Sequence, residues 1–193
     1  MDVNIERIVG NWKLGYSLDK HVLRSTPIGE NEQGYMQFDT VRSQIGESLF
    51  RLKYRSDYSQ APIIARQLNE SCGRAFSKVN LVIPMPPSRA RNRQPVSEIA
   101  SAFAQLNNIP FSNNLLVKTK ATRLMKDLGS RAERVAELIQ AFTVSDVLDN
   151  RGNDVLIIDD LFDTGSSFEA ATTVLKHYNK IRNVYVLAVT RRR

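Results

Sequence analysis

Residues 155–167, VLIIDDLFDTGSS, constrain this 193-residue chain more than any other segment. Four apolar residues end in the carboxylate pair Asp159 and Asp160. Two apolar residues and Asp163 follow, and Thr-Gly-Ser-Ser then opens a helical pattern. A buried strand that runs into a helix is half of a βαβ unit, and it commits the chain to a parallel sheet. Other segments repeat the alternation. Strand patterns cover 79–84, 115–117, 154–160 and 184–189, and helical patterns cover 132–142, 167–177 and a stretch opened by Pro95. The reading is an α/β fold, a parallel sheet with helices on both faces.

The turn after the strand has the chemistry of an anion cradle. Ligands of open α/β sheets bind beyond the carboxyl ends of the strands. A helix N-terminus there offers unpaired N–H groups and the positive end of its dipole. Gly165 permits a positive φ and close backbone approach, and Thr164, Ser166 and Ser167 add hydroxyls. The dipole contributes only about 0.3–1 kcal/mol, so direct hydrogen bonds must supply the rest. The three acids would repel a bare phosphate. They make sense if the ligand also brings hydroxyls, a divalent cation or a cationic transition state. A ribose 5-phosphate unit with Mg²⁺ brings all three. The plainer alternative is a capped strand-to-helix turn with no ligand.

The charge distribution narrows the partner. The formal net charge is +7. Residues 1–60 balance eight basic against eight acidic side chains, so the whole excess lies beyond them. Residues 88–134 alone hold nine basic and three acidic side chains. The excess points to an anionic partner, either a phosphorylated small molecule or a nucleic acid, with a plain solvated surface as the third reading. The single cysteine, Cys72, excludes an intramolecular disulfide and a four-cysteine zinc ribbon. No apolar run reaches the ~18 residues of a membrane span. The first ten residues have no apolar signal core, and the expected location is cytoplasmic.

The segment 155–167 resembles the 5-phosphoribosyl-1-pyrophosphate (PRPP) motif of type I phosphoribosyltransferases: a hydrophobic strand, an acid pair, two mostly aliphatic positions and a T-G-x-[ST] loop. It departs at Phe162, where an aliphatic residue is usual. Leu52-Lys53-Tyr54-Arg55, the IPMP turn at 83–86, the RNRQP stretch at 91–95, Thr122 and the Ala141-Phe142 pair are similar to the ComF-like branch of that family. The zinc ribbon common in that branch is absent, Asn92 replaces a glycine, and Glu137 stands where Asn is usual. The resemblance implies a transfer of the 5-phosphoribosyl group to a nitrogen nucleophile, expected to be a nucleobase, with Mg²⁺ as cofactor and pyrophosphate released. It implies that Asp159 and Asp160 hold the ribose hydroxyls and, through water, Mg²⁺. Asp163, Thr164, Gly165, Ser166 and Ser167 would bind the 5′-phosphate. Asp163 would also be the candidate general base, with helix capping as the competing role.

Two basic loops complete the expectation. The turn 84–93 takes the place of the family's pyrophosphate loop. Pro86 and Pro87 have no N–H, so Ser88, Arg89 and Arg91 carry the expected contact. Residues 118–131 take the place of the flexible lid, with Lys118, Lys120, Arg123 and Lys126 over the leaving group and Gly129 as hinge. Residues 59–193 form the expected catalytic domain. Residues 1–58 form a small N-terminal hood, with Trp12, Leu14, Tyr16 and Leu18 alternating on a strand. Asp39 is expected to cap a helix through Arg55, and Ser59 a second one. Trp12, Tyr16, Tyr35 and Phe38 are the hood aromatics that could stack on a base or pack within it. Binding of PRPP or a nucleotide without catalysis, association with single-stranded nucleic acid, a nucleotide-depleting effector and a homodimer stay open as alternatives.

Overall fold

The computed structural model describes residues 1–89, 91–122, 129–150 and 152–192. Strands β1 (Glu6–Arg7), β2 (Leu14–Lys20), β3 (Val22–Glu30) and β4 (Met36–Arg42) precede helices α1 (Gln44–Tyr54) and α2 (Gln60–Cys72). After a 3₁₀ turn (Gly73–Phe76) come β5 (Leu81–Pro84), α3 (Pro95–Leu106), β6 (Leu116–Lys118), α4 (Arg131–Ala141) and β7 (Phe142–Val144). The chain closes with β8 (Asn153–Phe162), α5 (Ser166–Lys176) and β9 (Ile181–Arg191).

Five strands form the central sheet in the order β1-β2-β9-β8-β5. β2, β9, β8 and β5 are parallel, and only the short β1 is antiparallel to its neighbour. Residues 155–158 are completely buried because both faces of the sheet are covered. Their alternation splits them between two cores. Leu156 and Ile158 face Leu49, Leu52, Ile64, Leu68, Ile99 and Phe103 of α1–α3. Val155 and Ile157 face Leu138, Phe168 and Leu175 of α4 and α5. Among the described residues no helix is long and apolar enough to cross a membrane.

The N-terminal third departs from expectation in its details. β2 is a sheet strand, paired with β9 from Leu14↔Tyr185 to Lys20↔Arg191. Trp12 lies before it and packs on the opposite face, edge-on to Phe162 and Phe168. Asp39 does not cap a helix, because it lies within β4. Ser43 caps α1 instead: its hydroxyl accepts from Gly46 N–H at 3.1 Å and donates to the Lys20 carbonyl at 2.6 Å. That bond fastens the start of α1 to the end of β2. Gly46 makes the approach possible, since a Cβ there would come within 2.3 Å of the His21 carbonyl oxygen. Ser59 precedes α2 without a side-chain cap bond, and its hydroxyl donates to Asp57 instead. Residues 1–58 thus give β1 and β2 to the sheet and α1 to one face. Only the β3–β4 hairpin, a separate two-stranded sheet, projects outward with Ile28, Tyr35 and Phe38 exposed.

Candidate functional site

The site forms where the parallel strands end. β5 and β8 run in register to Pro84↔Ile158, and Met85 N–H donates to the Ile158 carbonyl at 2.8 Å. The turn after β5 therefore starts beside Asp159. Asp159 Oδ1 accepts from the Asp160 N–H at 2.8 Å, and Asp160 Oδ2 lies 2.5 Å from Lys53 Nζ. The Asp160 carbonyl accepts from the Thr190 hydroxyl at 2.9 Å. Burial and the adjacent Asp160 charge push Asp159 well above the usual carboxylate range, against the pull of the Asp160 N–H and Lys53.

The phosphate-type loop follows directly. Gly165 takes φ 79° at the N-cap of α5, a left-handed conformation that suits glycine. No side chain caps the helix. The Thr164 and Ser166 hydroxyls lie 2.9 Å apart. Arg131 braces the loop from outside, donating from Nε to the Thr164 carbonyl at 3.0 Å and pairing with Glu169 at 2.5 Å. Asp163, Thr164, Gly165, Ser166, Ser167 and Asp159 help to line a cavity of about 130 Å³. The Asp163 carboxylate is exposed and pairs with Arg192 at 2.8 Å. Among the described residues it makes no cap bond to α5, so the structure does not show the competing capping role.

Two larger cavities open beside this loop. One, of about 480 Å³, has Lys53, Ser88, Arg89, Arg91, Asp159 and Asp160 in its walls. The other, of about 780 Å³, includes Ser88, Arg89, Lys118, Lys120, Thr122 and Ser167. Ser88, Arg89 and Ser167 belong to both, so acid pair, basic turn and the β6 end surround one continuous region. Within this wall the Arg91 guanidinium donates to the Lys53 carbonyl at 3.0 Å. Arg123 and Lys126 lie outside the described residues. Gly129 precedes a complete capping box at the start of α4, where Ser130 and Glu133 bond each other's backbone N–H.

Sequence reasoning did not single out Lys53, Arg131 or Thr190 as site residues. Lys53 is 107 positions from its partner, and its only sequence cue is the Leu52-Lys53-Tyr54-Arg55 resemblance. His21 also lies near this edge, its Nδ1 3.4 Å from the Thr190 hydroxyl. Burial, then the charges of Arg42 and Lys53, hold the His21 pKa below its usual value, while Asp160 acts the other way.

No family model matches the sequence, and no curated protein matches it. Solved structures do match. The adenine phosphoribosyltransferase from Leishmania tarentolae is 12% identical, over 97% of this chain and 94% of that one, with a TM-score of 0.50. The orotate phosphoribosyltransferase from Aeropyrum pernix is 16% identical over 86% of this chain and 74% of that one, with a TM-score of 0.42. A hypoxanthine phosphoribosyltransferase from Staphylococcus aureus is 13% identical over 69% and 64%, with a TM-score of 0.44. At such identities the likeness concerns architecture: a mostly parallel central sheet flanked by helices, the fold of the type I phosphoribosyltransferases.

Proposed function

We propose that the chain is a Mg²⁺-dependent phosphoribosyltransferase that moves the 5-phosphoribosyl group of PRPP to a nitrogen nucleophile, expected to be a nucleobase, and releases pyrophosphate. The observation that carries this reading is the meeting of three unlike surfaces at one sheet edge. A glycine-turned helix N-terminus suits a 5′-phosphate, an acid pair suits ribose hydroxyls, and a basic turn suits a diphosphate. The basic side chains support a small anion over a long polymer. Arg89, Arg91, Lys118, Lys120 and Arg134 line cavities, while Arg93 and Arg131 are paired with Glu98 and Glu169. Within this reading the segments 52–55 and 83–86 favour the ComF-like branch.

The donor set fits Mg²⁺. Asp159 and Asp160 each use one oxygen on a protein partner, and the second oxygen of each has none among the described residues. Those residues contain no cluster of three or more His, Cys, Asp or Glu that could hold a metal alone. Two carboxylates that act with water and ligand oxygens suit a cation that keeps much of its hydration shell. When bound, the ion would neutralise charge on the departing pyrophosphate.

In the reaction the bond from C1 to the pyrophosphate oxygen breaks, and its electron pair leaves with pyrophosphate. The acceptor nitrogen forms the new bond to C1 and loses a proton. Asp159 and Asp160 would orient the sugar and offset positive charge at C1. Ser88 and Arg89 would hold the leaving group, with Lys118 and Lys120 facing it across the shared region. Asp163 remains the candidate proton acceptor, once its exposed pairing with Arg192 opens. The β3–β4 hairpin is the part of residues 1–58 free to serve as a hood over the acceptor.

The test is pyrophosphate release from PRPP with a panel of purine and pyrimidine bases, with and without Mg²⁺. The reading expects Mg²⁺-dependent release with at least one base. Tight PRPP binding with no release from any base would favour a sensor over an enzyme.

A further inference from the structure

We propose that Lys53 is a displaceable counter-ion: its ammonium neutralises Asp160 in the empty site and moves onto the ligand's diphosphate when a divalent cation or a sugar hydroxyl takes that carboxylate. The inference deepens the phosphoribosyl reading and rests on it for the ligand. Three observations carry it.

Lys53 belongs to the last turn of α1, whose position is set by the buried Leu49 and Leu52 and by the Ser43 cap. Its stem therefore starts from a fixed point, while the four-carbon chain leaves the ammonium free to swing. The ammonium has three donors, and the bond to Asp160 is the one recorded among the described residues. A lysine there makes a single point contact; an arginine would lock the carboxylate with a two-pronged pair.

The pair sits at a cavity wall, with side-chain exposures of 23% for Lys53 and 18% for Asp160. Asp159 and Asp160 stand side by side, and Lys53 is the cation paired with Asp160. An incoming hard cation must share the Asp160 carboxylate with that ammonium, which holds Oδ2.

The basic turn is short of donors toward the diphosphate. Pro86 and Pro87 contribute no N–H. Arg91 turns one guanidinium N–H to the Lys53 carbonyl, at the negative end of the α1 dipole. Ser88, Arg89 and the remaining Arg91 N–H groups face the ligand, and Lys53 lines the same 480 Å³ cavity as all three. A lysine released from Asp160 supplies the missing charge where pyrophosphate would lie.

The test uses two probes that need no catalysis: Mn²⁺ alone, followed by electron paramagnetic resonance, and inorganic pyrophosphate without metal, followed by calorimetry. Wild type, Lys53→Met and Lys53→Arg are compared, with thermal melts as a folding check. Lys53→Gln gives the same readouts if the methionine variant does not fold. Lys53→Met should bind Mn²⁺ about fivefold tighter, as expected when a partly solvated competing charge is removed. It should bind pyrophosphate about tenfold weaker, the size of one lost charge-assisted contact. Lys53→Arg should restore pyrophosphate affinity to within about threefold while leaving Mn²⁺ weakly bound. Unchanged affinities for both probes, or a parallel loss of both, overturn the proposal. Failure of the phosphoribosyl reading would look different, because wild type would then not bind PRPP even if both probes followed the expected pattern.

Discussion

Gly165 is where a single residue matters most to the phosphate-type loop. Its φ of 79° costs an L side chain about 1–2 kcal/mol, and an added Cβ would stand 3.0 Å from the Phe162 ring. Gly165→Ala is expected to lower the melting temperature and to weaken binding of ribose 5-phosphate, measured by calorimetry. At the opposite end of β8, Asp154 tests a structural charge. Its buried carboxylate accepts from Arg182 Nε at 3.0 Å, from Arg182 Nη2 at 2.5 Å and from Asn183 at 2.7 Å. The Arg182 bond, then Asn183, holds its pKa below the usual value against the opposing effect of burial. A depressed aspartate pKa stabilises the fold above the unfolded value of about 4, and that stability is lost as pH falls through the folded value. Arg182 is 61% exposed, so screening keeps the effect modest, about 1 kcal/mol at neutral pH. Chemical denaturation of Asp154→Asn should show this deficit at pH 7 and a shrinking gap to wild type below pH about 4.

Elements differ in how much of them the residues announce. β8 and α5 are legible because one segment carries a buried strand, an acid stop and a glycine turn, all local features. The helix from Pro95 is equally plain, with Ile99, Ala100 and Phe103 buried on one face. β4 is not legible, because Asp39 followed by Val41 and Ile45 mimics a capped amphipathic helix. The true cap, Ser43, is chosen by a bond to Lys20 twenty-three residues away. Trp12 continues the alternation of β2 on paper, yet packs under the other face of the sheet. The Lys53–Asp160 contact spans 107 residues and needs the fold before it can be seen. The hairpin is the element whose role is most separable. Its strands pair only with each other, and nearly all of its side chains are exposed. Replacing residues 24–40 with a short Gly/Ser turn should leave the melting temperature within a few degrees. In a pyrophosphate-release assay the same change should raise the KM for the acceptor base far more than the KM for PRPP. Equal effects on both would remove the hood role from the hairpin.

At the scale of the whole molecule, the charge balance of the sequence acquires a place. The described basic side chains of residues 88–134 either line the three cavities at the carboxyl edge of the sheet or pair with glutamates, and the acid pair lies beside them. The neutral first sixty residues reach that region through Lys53, which α1 brings to Asp160, while β2 extends the sheet and the hairpin stands outside. The central claim is that the edge formed by Asp159 and Asp160 binds the ribose of PRPP. Equilibrium binding of PRPP in the presence of Mg²⁺, for wild type and for the double variant Asp159→Asn with Asp160→Asn, measures this directly. The account predicts saturable binding at one site per chain in wild type. It predicts at least about a hundredfold weaker binding in the double variant, the order of two lost charge-assisted contacts, with an unchanged fold. Equal affinity in the two proteins, or no binding by wild type, would contradict it.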